Sequence, residues 1–228
     1  MSMVQKRIFG RDEYLGVFGL DTNAFSARTH RSETALAFGL SKPAFQNSYG
    51  EFDLVAGMLT FFIVNLVQID LAAAAELVRM AWRAWLWGIA KTEHLPPGAP
   101  YSEQFCFVVA KDVNRKSIED IEVGLCQEII DEITARDSNL VPIPVPLDMV
   151  LRQLRKQAGK RKLILPKPLT PNPDPSDSSE VGEMKIKGRP VSKAYEAWVR
   201  EIEDYREFAI ARGGRASRVK KRKVKATA

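Results

Sequence analysis

The fold of the N-terminal part is decided by residues 9–31, which read FGRDEYLGVFGLDTNAFSARTHR. A helix is predicted over residues 9–19, because Leu15 and Phe18 lie three positions apart and share one apolar face. Gly19 ends this helix and can adopt the left-handed backbone that a tight turn needs. The stretch therefore predicts two short helices joined by a tight turn, which is the arrangement of a helix–turn–helix unit.

The second helix is predicted over residues 22–31 and carries side chains suited to DNA. Asp21 can accept hydrogen bonds from its first free N–H groups, and Phe25 is its apolar anchor. A helix placed in this way can lie in the major groove, where hydrogen-bonding and cationic side chains contact base edges and phosphates. The predicted DNA-contacting side chains are Thr22, Asn23, Ser26, Arg28, Thr29 and Arg31.

A two-stranded wing is predicted to follow the second helix. Leu36 and Phe38 alternate with smaller residues as in a short strand, and residues 45–49 are suited to form the return strand. Lys42 lies in the loop between these two strands and is the cation that the wing offers to a phosphate.

Two long apolar helices are predicted after the wing, over residues 54–69 and 71–91. Asp53 and Asp70 are suited to cap them, because each carboxylate can accept hydrogen bonds from the free N–H groups that follow. Polar residues interrupt the first helix, and it falls short of the about 20 apolar residues that a membrane span requires. We therefore expect a buried helical pair over residues 53–95 and no contact with a membrane.

Three tryptophans lie on the second of these helices, at Trp82, Trp85 and Trp87. They do not share one narrow stripe, so at least one is expected to point away from the core of its own subunit. Tryptophans are favoured at interfaces, where the ring is buried and the indole N–H finds a partner. The tryptophans predict a homodimer interface on the helical pair, and a wide helix–helix contact inside the monomer is the alternative.

Parts of this segment resemble the winged helix–turn–helix of MerR-type and excisionase-type DNA-binding proteins. They are residues 9–31, the Phe-Asp-Leu of residues 52–54 and the IDLAAAAELV of residues 69–78. The resemblance extends over roughly residues 8–80. It implies a winged helix–turn–helix domain over residues 8–52, in which the second helix reads the major groove and a helical pair follows the wing. Metal sensing by cysteines is not expected, because this part of the chain has none.

A small mixed α/β segment is predicted over residues 101–165. Strand formers are concentrated at residues 105–110, and the prolines of residues 141–146 indicate an extended edge strand. A helix with an isoleucine stripe is predicted over residues 117–135, and a short basic helix over residues 148–158.

Two groups of charged residues in this segment are predicted to be solvated surfaces in preference to functional sites. The acidic residues of the helix at 117–135 have no histidine or lysine base near them in the sequence, so a solvated face is favoured over catalysis or metal binding. These residues are Glu119, Asp120, Glu122, Glu128, Asp131 and Glu132. In the basic stretch over residues 152–162, Arg152, Arg155 and Lys156 share one helix face that could contact phosphate, and a solvated face is favoured there too.

The C-terminal part is predicted to leave the folded body. Residues 166–190 are rich in proline and polar residues and predict a linker. Residues 191–212 predict an isolated amphipathic helix, capped by Ser192, that either docks back on the body or folds on a protein partner at residues 192–211. Residues 213–228 predict a disordered basic tail that adds sequence-independent phosphate contacts. The contacting side chains of the tail are Arg215, Arg218, Lys220, Lys221, Arg222, Lys223 and Lys225.

The charge and the residue inventory exclude several functional classes. The net charge of +6 belongs to the C-terminal part, because basic and acidic residues balance up to residue 165. Cys106 and Cys126 are too few for a disulfide framework and indicate a reducing compartment. With His30 and His94 they show no familiar metal-ligand spacing, and no nucleotide-binding or hydrolase motif is present. The sequence therefore predicts neither an enzyme nor a bound cofactor or metal.

The expected fold class is α+β and mostly helical: a winged helix–turn–helix, a long helical pair, a small mixed α/β segment and a largely disordered basic tail. The expected function is DNA binding by a cytoplasmic, nucleoid-associated homodimer that regulates transcription in a bacterium or phage. A dimer is expected because one short helix offers few base contacts and two half-sites multiply specificity. Two alternatives remain open. One is an assembly or adaptor protein similar to a small packaging subunit, and the other is a protein-interaction module whose tail binds nucleic acid without specificity.

Overall fold

The computed structural model of the protein describes residues 9–19, 48–96, 98–115, 117–165, 167–169, 173–177, 179–186 and 188–204. Over these residues the fold is α+β and mostly helical, which confirms the predicted class. None of the described helices is both long and apolar enough to cross a membrane. The elements in chain order are β1 (Phe9–Gly10), α1 (Arg11–Val17), β2 (Ser48–Tyr49), α2 (Glu51–Val67), α3 (Leu71–Met80), α4 (Trp82–His94), a 3₁₀ turn (Tyr101–Glu103), β3 (Phe105–Asp112), β4 (Ile118–Leu125), α5 (Cys126–Arg136), β5 (Leu140–Pro146), α6 (Leu147–Lys160), β6 (Val181–Ile186), β7 (Arg189–Ser192) and α7 (residues 193–204).

Helices α1 and α2 each begin after a glycine whose N–H is bound by an acidic side chain three residues on. The Gly10 N–H donates to Glu13 Oε2 (2.8 Å), and the Gly50 N–H donates to Asp53 Oδ2 (2.7 Å). These bonds satisfy backbone donors that a helix start leaves free. Asp53 is therefore the third residue of α2 and not its N-cap, which corrects the sequence prediction, because the helix begins directly after Gly50.

The helix predicted over residues 71–91 is two helices, α3 and α4, which meet at Ala81. Asp70 caps α3 as predicted. Across the junction, the Trp85 indole N–H donates to the backbone carbonyl of Val78 (2.8 Å). The residues on both sides are good helix formers, so a single helix was the local expectation, and this buried hydrogen bond stabilises the break.

A three-stranded antiparallel sheet in the order β4–β3–β5 lies in the middle of the molecule. The central strand β3 is buried on both faces: Phe107 and Val109 belong to the main core, whereas Val108 and Ala110 pack with α5. Helices α2, α4 and α6 cover the main-core face, and α5 covers the other. The two-sided burial accounts for the continuous apolar run in the sequence of β3.

Residues 118–125 form the strand β4, so the helix predicted over residues 117–135 is wrong in its first half. Ile118, Ile121 and Leu125 have the spacing of a helical stripe, yet the whole segment pairs with β3. Pairing with a strand distant in sequence overrides the local spacing, and the β-branched residues suit the strand equally well. The helix of this region, α5, begins only where that pairing ends.

The edge strand predicted at residues 141–146 is confirmed as β5, which pairs with β3. Its three prolines are Pro142, Pro144 and Pro146. Successive N–H groups of a strand point to opposite edges, so all three missing donors fall on the side away from β3. The ladder with β3 therefore stays intact while the outer edge is unable to pair with another chain.

The linker predicted over residues 166–190 is structured in its second half, which corrects that prediction. Strands β6 and β7 form an antiparallel hairpin, and Leu169 upstream of it is fully buried. Glu196 holds the hairpin, because its Oε2 accepts from the backbone N–H groups of Glu183 (2.7 Å) and Met184 (3.1 Å). Few local signals predict such a hairpin, since its support comes from the helix after it.

The amphipathic helix α7 docks on the body, which is the first of the two alternatives that the sequence left open. Ser192 caps it as predicted, its hydroxyl oxygen accepting a backbone N–H of the first turn (3.2 Å). Trp198 meets Phe52 of α2 edge to face, with 5.5 Å between the ring centroids. One continuous apolar core therefore runs from Phe9 to Ile202.

Candidate nucleic-acid interface

The first helix is held against the start of α2 by a buried tyrosine. The helix predicted over residues 9–19 is confirmed as α1, and its Tyr14 ring stacks on Tyr49 with 4.0 Å between the centroids and 10° between the planes. The Tyr14 hydroxyl donates to the backbone carbonyl of Asp53 (3.4 Å). Burial, reinforced by the negative charges of the groups around it, raises the pKa of Tyr14 well above its usual value. The hydroxyl therefore keeps its proton and remains a donor.

The end of α1 lies close to α2 at a glycine. A Cβ on Gly57 would lie 2.6 Å from Phe18 Cζ and 2.9 Å from the Tyr14 hydroxyl oxygen. Phe18 also stacks on Phe61, with 5.3 Å between the centroids. Gly19 has a φ of +68°, which confirms the left-handed turn predicted there. The end of α1 and the turn after it are therefore fixed against α2. We call residues 9–19 and 48–61 the base.

The base contains the residues on both sides of residues 20–47, Gly19 and Ser48. Ser48 begins β2, where Tyr49 lies opposite Phe9 of β1. The strand predicted at residues 45–49 is confirmed for its last two residues, and its partner in the described part of the chain is β1. The sequence analysis did not predict this pairing, because β1 has only two residues and no alternation to reveal it.

The residues predicted to read DNA lie outside the described residues, and so does the basic tail. They are Thr22, Asn23, Ser26, Arg28, Thr29, Arg31 and Lys42 of the predicted second helix and wing, and Arg215, Arg218, Lys220, Lys221, Arg222, Lys223 and Lys225 of the tail. Their roles stay predictions.

A groove with aromatic walls opens beside the end of α1, and we call it the base groove. The rings of Phe18, Phe61 and Phe62 are only half-buried there, so apolar surface remains accessible. Helix α6 closes the other side with Gln153 and Gln157. The apolar surface thus lies where the chain departs from α1 toward residue 20.

The basic end of α6 lies against the base. Arg161, the residue after the helix, donates from Nε to the carbonyl oxygen of Gly16 in α1 (3.1 Å). The helix ends in a Schellman motif, in which the Leu163 N–H donates to the Ala158 carbonyl (3.0 Å) and Lys162 adopts a left-handed φ of +59°. The basic residues that sequence reasoning treated as one solvated stretch are therefore next to the predicted helix–turn–helix.

The cations of α6 divide into paired and unpaired ones. Arg152 pairs with Asp148 (2.9 Å) within the helix, and Arg155 pairs with Glu93 of α4. Lys156, Lys160 and Lys162, which we call the α6 lysines, are exposed and make no ion pair or side-chain hydrogen bond in the part of the chain that the structure describes. The basic face predicted from Arg152, Arg155 and Lys156 is thus split, because two of its three members are compensated.

The tryptophans of α4 are covered by their own chain. Trp85 is fully buried, and Trp82 and Trp87 are 9% and 7% exposed. Trp87 meets Phe105 of β3 edge to face, with 5.2 Å between the centroids. The expectation that at least one of them points away from the core is wrong, because α4 packs between the sheet and α6. A homodimer interface on the helical pair stays a prediction.

The acidic residues of the sheet region surround one arginine. Arg136 at the end of α5 binds Asp120 (2.8 Å) and Glu122 (2.5 Å) of β4 and Glu132 (2.7 Å) of its own helix. Its hydrogen bonds to these carboxylates raise the pKa of Arg136, and the bond to Glu132 has the largest effect. Only the Glu132–Arg136 pair, four residues apart on one helix, could be read from the sequence, because the other two depend on β4 being a strand.

The cysteines and acidic residues do not form a metal site in the described ranges, where no three His, Cys, Asp or Glu side chains are placed to hold an ion. Cys106 and Cys126 are both free and buried between the sheet and α5.

The chain matches no protein-family model, and no curated protein is significantly similar to it. The resemblance to MerR-type and excisionase-type proteins therefore stays a hypothesis that rests on the residues quoted for it.

Proposed function

We propose that the protein binds DNA through a helix–turn–helix over residues 11–31, with the helix over residues 22–31 in the major groove, and that it regulates transcription in a bacterium or phage. The observation that carries the proposal is the base, which holds α1 rigidly and anchors both ends of residues 20–47 within one packed unit. A helix reads base edges only when its scaffold fixes its position, since hydrogen bonds to bases tolerate little displacement.

The base groove supports the same proposal. The second helix of a helix–turn–helix needs an apolar seat against the first, and Phe18 and Phe61 leave ring surface open beside the end of α1. Phe25 is the apolar residue that the second helix offers to such a seat. With Phe25 turned inward, Asn23 would lie on the opposite side of the helix, and Arg28, three positions after Phe25, would lie at the border of the inward face. These residue types suit adenine and guanine edges respectively.

Charge supports it as well. Residues 22–32 contain two arginines and no acidic residue. A phosphate backbone that approaches this predicted helix would therefore meet positive and no negative side-chain charge on it.

The docked helix α7 decides the design of the test. Removing the chain after residue 165 would delete Trp198 and expose Phe52, so a truncated protein would report on unfolding. We would use the full chain with the seven predicted tail contacts replaced by glutamine, which removes the non-specific cations and leaves the core intact. This neutral-tail protein is mixed with a library of random-sequence duplexes at about 0.15 M salt, where non-specific binding is weak, and the retained duplexes are sequenced.

Enrichment of a shared sequence is the expected result. Asn23→Ala and Arg28→Ala should each reduce affinity for that sequence by about tenfold or more, the loss of one base contact. Lys185→Ala, on the exposed β6 strand, is the matched control and should leave affinity unchanged. Retention of duplexes without any enriched sequence would contradict sequence-specific binding and favour the alternative of an interaction module that binds nucleic acid without specificity.

A further inference from the structure

We propose that the α6 lysines, Lys156, Lys160 and Lys162, contact the DNA phosphate backbone beside the helix that reads the major groove. The proposal rests on the proposed function and extends it, because it assigns backbone contacts to a helix outside the predicted helix–turn–helix. It is carried by where α6 ends, which side of α6 bears the lysines, and the lack of compensation of their charge in the described residues.

The end of α6 is tied to the base by a direct bond. Arg161 Nε donates to the Gly16 carbonyl (3.1 Å), and a Cβ on Gly16 would lie 3.2 Å from that nitrogen. Gly16 precedes by three residues the turn at Gly19, from which the predicted second helix follows. A DNA backbone that contacts the chain next to this turn would therefore lie close to the residues around Arg161.

The lysines lie on the side of α6 next to the base groove. Lys156 and Lys160 are four residues apart, so they form one exposed ridge along the helix. Gln153 and Gln157 lie beside this ridge and line the base groove with Phe18. The ridge thus borders the groove that we propose as the seat of the predicted DNA-reading helix.

The charge of the three lysines is not used within the described fold. Arg152 and Arg155 have carboxylate partners in Asp148 and Glu93, whereas the α6 lysines have none there. The C-terminal end of a helix attracts cations, but that attraction acts over the last turn only, and Lys156 lies before it. Three exposed cations next to the base are suited to phosphates, which such cations contact without reading sequence.

The test compares two triple variants in the neutral-tail full chain. The first is Lys156→Gln, Lys160→Gln and Lys162→Gln. The control is Lys185→Gln, Arg189→Gln and Lys193→Gln, which removes the same charge from exposed positions on the β6–β7 hairpin and the start of α7. Arg161 is left in place because its bond to Gly16 is structural. Equal melting temperatures of both variants and the parent establish that each is folded.

Affinity is measured for the enriched duplex and for a random duplex between about 0.05 and 0.2 M salt. Each phosphate contact contributes about 0.9 to the slope of log affinity against log salt concentration. The triple variant of the α6 lysines should therefore lower this slope by about 2 to 3. It should weaken binding to both duplexes by a similar factor, so that the ratio of specific to non-specific affinity is kept. The control triple variant should change the slope by less than the contribution of one phosphate contact, about 0.9.

Three results would overturn the proposal. They are an unchanged slope in the α6 triple, an equal loss in the control, and binding to vesicles of phosphatidylserine and phosphatidylcholine that depends on the lysines when duplex binding does not. Failure of the proposed function gives a different result, the absence of an enriched sequence. In that case the affinity for the random duplex alone tests the lysines. A smaller salt slope in the triple variant would identify a surface that binds phosphates without reading sequence, and an unchanged slope would reject such a surface.

Discussion

The acidic side of the sheet and the lysine end of α6 are both densely charged, but only in the first do these charged side chains bind a side chain of opposite charge. At the sheet, Asp120, Glu122 and Glu132 surround Arg136, and the cluster ties β4 to α5. At the end of α6, the bond from Arg161 to Gly16 ties the helix to the base, and the lysines beside it are left without partners in the described residues. Similar charge density thus serves the fold in one region and remains available to a ligand in the other.

The packing of the two regions differs in the same sense. The central strand β3 of the sheet has both faces covered, so its side chains from Phe105 to Ala110 serve the core. Within the base, α1 packs on α2, and the end of α1 borders a groove with open aromatic surface. Unused surface and unused charge therefore coincide at the base, and this coincidence is a stronger indication of a binding site than the charge run in the sequence.

The largest expected effect comes from removing the support that α7 gives to the base. Trp198→Ala deletes a buried ring that meets Phe52 at the start of α2, and we expect the free energy of unfolding to fall by about 3 to 5 kcal/mol. Denaturant unfolding measures it, and Ala194→Ser on the exposed side of α7 should change stability by less than about 0.5 kcal/mol. A loss below about 1 kcal/mol for Trp198→Ala would mean that the base does not depend on α7.

A matched pair of glycine substitutions separates the base from the sheet. Gly57→Val would force a side chain against Phe18 in the base, and Gly88→Val would force one against Leu147 and Val123 beside the sheet, where a Cβ would lie 2.5 and 2.8 Å away. Overpacking of this kind costs about 1 to 3 kcal/mol in each case. At a temperature where both variants stay folded, only Gly57→Val should weaken binding to the enriched duplex, by about tenfold or more, because it displaces α1. Equal binding by the two variants would count against the base as the scaffold of the reading helix.

A smaller effect, confined to acid, is expected at the hairpin. The backbone N–H of Met184 lowers the pKa of Glu196, and the Glu183 N–H and Arg200 act in the same direction. A lowered pKa means that the folded state favours the carboxylate. Its stabilisation is therefore complete above the usual glutamate pKa of about 4.3 and is lost as the pH falls through the lowered value.

The measurement is the melting temperature of the parent and of Glu196→Gln from pH 7 down to pH 3. The parent should melt higher at pH 7, and the two curves should converge in acid. Glu180→Gln, whose carboxylate lies 3.8 Å from Lys193 on the surface, is the control and should follow the parent at every pH. A difference between the parent and Glu196→Gln that persists unchanged to pH 3 would assign the effect to packing instead of charge.

The elements that the sequence predicts correctly are those whose signals are local. The turn at Gly19, the cap at Asp70 and the edge strand of alternating prolines each depend on a few adjacent residues. Strand β4 and the hairpin β6–β7 depend on partners distant in sequence, so their own spacing misled or gave no signal. The burial of all three tryptophans on α4 likewise could not be predicted from their positions around the helix, because it depends on the sheet and on α6, which pack against α4.

The same distinction applies to the candidate site. A helix–turn–helix is predicted from the pattern of residues 9–31, but the position of α6 beside α1 could not be predicted, because Gly16 and Arg161 are 145 positions apart. The sequence therefore identified a basic stretch and favoured solvent for it. The fold divides that stretch into arginines that have partners and lysines that have none in the described chain.

The smallest expected effect has opposite signs for stability and for binding. Lys162 and Gln68 both hold a left-handed φ, +59° and +57°, at the ends of α6 and α2. Such a backbone costs about 1 kcal/mol for a residue with a Cβ, and glycine avoids this cost. The greater freedom of glycine in the unfolded chain offsets part of the stability gained by the substitution. Lys162→Gly and Gln68→Gly should therefore each stabilise the protein by about 0.5 kcal/mol. Only Lys162→Gly should weaken DNA binding and lower the salt slope, by about 1, because it alone removes a phosphate contact. If both variants are stabilised and both bind DNA like the parent, Lys162 belongs to the fold only, and the contrast between the two charged regions loses its functional meaning at that residue.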